Sequence, residues 1–166
     1  MIRLTMCLAC VLFAATAYAE AKWQKLTGKD ELTDDSTDMV AVFSEEPNSQ
    51  LMSTFCIAFK DGEPQYIGLL VGKLERIVPP ILGSSDVAVT YRSKGAPKHT
   101  GTWKLFPSNR EIHLQPPTKK AAIEMISGES LIIQVDHSGK RYTFDLSGPN
   151  GDRLRKYVEQ KFAISK

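Results

Sequence analysis

The strongest constraint on fold lies between Ser130 and Phe162. Leu131, Ile133 and Val135 fall on one side of an extended segment, with Gln134 and Asp136 on the other. His137-Ser138-Gly139 follows and supplies a glycine where a tight turn needs positive φ. Tyr142, Phe144 and Leu146 then alternate with Arg141, Thr143 and Asp145. A period of two in both segments puts one face on a core and the other in water, which predicts a strand, a turn and a returning strand. Ser147 to Gly151 breaks the second strand. Asp152 is the expected N-cap of a closing helix, with Leu154, Tyr157, Val158 and Phe162 on one stripe.

Similar short segments recur upstream. Strands are expected at Met39–Phe43, Leu51–Phe59 and Gln65–Val71, with Asp61-Gly62 as the hairpin turn between the last two. Val87–Arg92 and Thr102–Phe106 alternate, with Val87, Val89 and Tyr91 on one side of the first and Trp103 and Leu105 on one side of the second. Ile112 and Leu114 form the inward face of a further short strand, which Pro116-Pro117 ends. Thr118 caps a short helix to Ile126, with Gly128 beyond its end. Glu20 to Asp38 reads as a polar loop anchored by Trp23 and Leu26, and Leu74 to Ile81 reads as ambiguous. About eight short strands with two helices, the last C-terminal, predict a mainly β fold: an antiparallel sandwich or barrel-like domain. The strands do not alternate with helices, so a doubly wound parallel sheet is not expected.

The N-terminus reads differently. Arg3 precedes an apolar run from Leu4 to Ala17, and Ala17-Tyr18-Ala19 fits the small-x-small cleavage pattern. The run is shorter than the roughly 20 residues a membrane span needs. Residues 1–19 are therefore expected to be a signal peptide and residues 20–166 a single exported domain, periplasmic in location. Cys10 is a weak lipidation candidate because apolar sequence continues well past it. Cys7 and Cys10 leave with the signal, so Cys56 remains alone and no intramolecular disulfide can form. Its place between Phe55 and Ile57 predicts a buried, inert thiol.

Charge and motif content narrow the function classes. The chain has 21 basic and 19 acidic residues with no long run of like charge, which removes an electrostatic case for nucleic acid. The acidic stretch Asp30 to Asp38 lacks the ligand rhythm and central glycine of a calcium loop, and is expected to be a solvated turn. His99, His113 and His137 show no metal-ligand spacing, and no Cys pair accompanies them. No nucleophile elbow and no glycine-rich phosphate cradle occurs. A carboxylate pair for glycoside hydrolysis is a matter of spatial separation, which sequence does not report. No cofactor or metal is implied. One patch stands out: Arg92, Lys94, Lys98, His99 and Lys104 lie on or beside the Lys94–His99 loop, a candidate protein contact.

Several landmarks also fall in one order. They are Trp23; Lys29-Asp30 with Asp34-Asp35-Ser36-Thr37; Cys56 in a strand; Val89-Thr90-Tyr91-Arg92; Trp103; and Phe144-Asp145-Leu146-Ser147-Gly148. In this order the chain resembles the type VI secretion-associated accessory proteins of the TagO/VasI kind, small exported proteins of Gram-negative bacteria. The family pattern has a cysteine near the C-terminus able to partner the strand cysteine, whereas Tyr157 to Lys166 has none. Its strand before the Phe-Asp-Leu-Ser-Gly motif carries a longer turn than His137-Ser138-Gly139. The resemblance implies a non-catalytic accessory or binding role in an envelope assembly, with an envelope or secreted protein as partner. A small exported inhibitor or immunity-like module that binds a hydrolase is the alternative expectation.

Overall fold

The computed structural model describes residues 23–29, 36–44, 53–72, 77, 86–106 and 110–163. The expected signal peptide, the acidic residues Asp30 to Asp35 and nearly all of Leu74 to Ile81 lie outside them. Nine strands form one antiparallel sheet: β1 (Trp23–Lys29), β2 (Ser36–Phe43), β3 (Thr54–Lys60), β4 (Glu63–Leu70), β5 (Asp86–Ser93), β6 (His99–Leu105), β7 (Glu111–Leu114), β8 (Ser130–Val135) and β9 (Lys140–Asp145). Their spatial order is β1-β2-β3-β4-β7-β6-β5-β8-β9, and the sheet curls into a half-barrel. Among the described residues two helices accompany the sheet, α1 (Lys119–Ile126) and α2 (Gly148–Ala163). The mainly β, antiparallel expectation holds, in the form of a single curled sheet.

The periodicities explain most elements. In β8, Leu131, Ile133 and Val135 are fully buried, and in β9 Tyr142 and Phe144 pack beside them through the pairs Leu131–Phe144 and Ile133–Tyr142. Val87, Val89 and Tyr91 of β5, Trp103 of β6 and Ile112 of β7 continue this inner face. Phe55, Ile57 and Phe59 of β3, Ile67 and Leu69 of β4, and Val40 and Val42 of β2 complete it. Ala121, Ala122, Met125 and Ile126 of α1, with Leu154 and Val158 of α2, bury against the same cluster. Thr118 caps α1 as expected: its hydroxyl accepts from the Ala121 N–H at 3.1 Å.

Two local expectations change. The polar stretch before Met39 contains a strand: β1 pairs with β2 from Trp23–Val42 to Lys29–Ser36. Alternation is weak there because Lys25, Leu26 and Thr27 are all exposed, while Trp23 packs on the core, with its ring tilted on Tyr157 at 6.1 Å and Nε1 donating to the Asn150 carbonyl at 2.8 Å. The closing helix starts at Gly148. Asp152 therefore lies inside its first turns, where its carboxylate accepts from Arg155 at 2.7 Å. Arg155 also donates to the carbonyls of Ile126, Gly128 and Leu146 at 3.2, 3.1 and 3.4 Å. One side chain thus satisfies carbonyls at the end of α1, in the following turn and after β9.

Candidate functional site

The β5–β6 hairpin positions the expected patch. Alternation turns Val87, Val89, Tyr91 and Ser93 inward and leaves Asp86, Ala88 and Arg92 exposed on the outer face. Register then separates the five candidates. Tyr91 pairs with His99 at the loop, whereas Asp86 pairs with Lys104 at the opposite end. Five residue steps at a rise near 3.4 Å put Lys104 about 17 Å from the loop. There it makes an ion pair with Asp86 at 3.4 Å. Arg92, Lys94, Lys98 and His99 share the loop end, and Lys104 does not join them.

The loop is held from below. The Lys94 N–H donates to the Ser130 carbonyl at 2.9 Å, and the Ala96 N–H to the Ser93 carbonyl at 2.9 Å. Ser93 Oγ accepts from the Gly128 N–H at 2.7 Å, tying the α1–β8 turn to the hairpin. That turn needs glycine: a Cβ on Gly128 would stand 2.2 Å from the Lys94 carbonyl oxygen. Arg92 Nε donates to the Ala96 carbonyl at 3.2 Å. His99 stacks on Tyr91 at 5.1 Å and lies 3.8 Å from a Glu124 carboxylate oxygen on α1. Lys94 pairs with Glu129 at 2.6 Å. That hydrogen bond holds the Glu129 carboxyl below its ordinary range. Both partners are exposed, so the pair adds little stability. Lys98 is exposed.

A second cluster, missed in the sequence, occupies the outer face of β3, β4 and β7. Tyr66 stacks on His113 at 4.4 Å, and the Phe106 ring packs tilted against the same imidazole at 4.2 Å. Gly68 makes the room: a Cβ there would come within 2.8 Å of His113 Cδ2. The Tyr66 hydroxyl donates to Met39 Sδ at 2.9 Å and lies beside the Cys56 thiol. The signal was the run of small residues Ala41, Cys56, Ala58 and Gly68 on one face of adjacent strands, which only pairing register brings together.

A cysteine, a histidine and a tyrosine so placed invite a catalytic reading, and electrostatics opposes it. Burial pushes the Cys56 thiol up to about 12. Burial, with Cys56 nearby, raises the Tyr66 phenol. Burial also lowers His113, against a weaker pull from Glu111 at 3.9 Å. A cysteine nucleophile needs a thiolate beside an imidazolium; here both groups are held neutral. Among the described residues no group of three His, Cys, Asp or Glu side chains is arranged to hold a metal ion.

The described end of the acidic stretch faces cations of its own chain. Asp38 accepts from Lys161 of α2 and from Thr27 at 3.1 Å, and lies 3.8 Å from Lys25. The hydrogen bond from Lys161 is the main cause holding the Asp38 carboxyl below its ordinary value. Among the described residues no helix is long and apolar enough to cross a membrane. No protein family, curated protein or solved structure matches the chain.

Proposed function

We propose that this domain is a non-catalytic binding protein of the bacterial envelope, and that the loop end of the β5–β6 hairpin is its contact. The observation that carries the reading is a preorganised loop. Its backbone is bonded at Lys94 and Ala96, its base is tied to α1 and β8 through Ser93, and Lys98 stands exposed on top. A loop fixed before binding loses less entropy when a partner orders it. The envelope setting is supported by the export signature of residues 1–19. The type VI accessory resemblance names the assembly to examine first.

The test compares alanine variants in capture from periplasm. Arg92, Lys94 and Lys98 are replaced together in one protein, and Lys104 alone in another. The triple variant should keep its melting temperature and lose the partner identified by mass spectrometry, while Lys104→Ala retains it. Equal capture by both variants contradicts the assignment of the loop. Hydrolytic turnover by the unaltered protein, lost on a single acidic or serine substitution, contradicts the binding-only reading.

A further inference from the structure

The outer face of β5, β8 and β9 continues from this loop and carries a more specific signature. Arg92 pairs with Ile132, and Ile132 with Thr143, so the three share one row on that face. Two residues along, Thr90 pairs with Gln134, and Gln134 with Arg141. Ile132 is 39% exposed, so an aliphatic side chain stands open to solvent in the row that Arg92 begins. Each arginine is steadied through Nε: Arg92 on the Ala96 carbonyl at 3.2 Å, Arg141 on Gln134 Oε1 at 2.8 Å. Among the described residues neither guanidinium is in an ion pair. The acids nearby are engaged: Asp136 accepts from Thr90 at 3.0 Å and Gln134 at 3.4 Å, and Asp145 accepts from the Ser147 N–H at 2.7 Å.

Resting on the binding reading above, we infer that this face docks an extended, acidic segment of the partner protein, with carboxylates on Arg92 and Arg141 and an apolar side chain on Ile132. The spacing supports an extended segment. The two arginines are two strands apart and two residues offset, about 12 Å at the backbone for strands near 4.8 Å apart and a rise near 3.4 Å. Residues i and i+4 of an extended chain are about 13 Å apart and point the same way, with i+2 between them. An acid-x-apolar-x-acid segment therefore sets its central side chain over β8, the strand that carries Ile132. Pre-oriented guanidinium forks favour carboxylates bidentately. An anionic membrane is the poorer fit, since lipid recognition uses clusters of about four to eight cations.

The probe is a synthetic peptide with two glutamates four residues apart, leucine midway and threonine elsewhere, beside the same peptide with lysine for glutamate. Amide shifts of the labelled protein follow the titration, with vesicles of phosphatidylglycerol as a separate arm. The acidic peptide should shift the amides around Arg92, Ile132 and Arg141, and the lysine peptide should not. Arg92→Gln with Arg141→Gln should weaken binding at least tenfold, and Ile132→Ser should weaken it without changing the melting temperature. No response to the acidic peptide, equal binding of the lysine peptide, an unchanged affinity in the double variant, or binding of vesicles in place of peptide each overturns the inference. Partner capture through the loop with no peptide response sinks this inference alone. Peptide binding without any loop-dependent partner leaves the face and removes the proposed contact.

Discussion

The two ends of the sheet bury their strands differently. In β3, at one end, Phe55 through Phe59 are five consecutive buried residues. In β5, toward the other, buried and accessible positions alternate from Asp86 to Ser93, and β8 does the same. The inner faces are alike, since both ends send large apolar side chains into one core. The outer faces make the difference. Around β3 the outer positions are Cys56 and Ala58, with Tyr66, Met39 and His113 close by. Around β5 and β8 they are Thr90, Arg92, Ile132 and Gln134, open to solvent or half so. β3 is scaffold through its whole thickness, whereas β5 and β8 offer a face that the core does not use.

The sharpest break of this contrast is in the scaffold. Phe55→Ala, which also removes a ring contact with Phe144 at 6.0 Å, should cost about 3–5 kcal/mol in urea unfolding. A loss near that of a surface change would show that β3 is not central. Next comes Gly68→Ala, which must displace His113 or Tyr66 and should cost about 1–3 kcal/mol, as overpacking does. An unchanged stability would mean that the outer cluster is loose.

Acid should then act through the same cluster. His113 is lowered by burial, so below its ordinary value of 6.5 the unfolded chain binds a proton that the folded chain refuses. Its contribution is therefore constant above about 6.5 and turns destabilising as pH falls toward its folded value. His113→Phe should flatten that part of the stability–pH curve, read by thermal melts from pH 7.5 to 5. A variant curve parallel to the parent would contradict the burial. The smallest effect belongs to the open end: Ile132→Ser should stay within about ±0.5 kcal/mol. A larger loss would mean that Ile132 belongs to the core.

Legibility in the sequence followed the same division. Strands with one wet face, such as β5, β8 and β9, declare themselves by alternation, and the α1 cap at Thr118 declares itself by residue type. Edge strand β1 did not, because its few core contacts are made by Trp23 to a helix more than a hundred residues away. The start of α2 was placed late, since Gly148-Pro149-Asn150-Gly151 reads as a loop until packing on Trp23 and Leu146 enters. Cys56 was legible as buried, and its thiol is free and buried. The candidate patch was legible as composition, and register alone decides that Lys104 sits beside Asp86 while Arg92 sits beside Ile132. Arg141 and Ile132 were invisible as site residues for the same reason.

In the proposed division of labour, the open face of β5 and β8 with its loop binds, and the doubly buried β3 supports it. Site-specific photocrosslinking in living cells tests it most directly, with the reactive side chain placed at Lys98 in one protein and at Phe106, exposed beside His113 of the outer cluster, in a second. A discrete protein adduct is expected from Lys98 and none from Phe106. An adduct from Phe106 alone would contradict it.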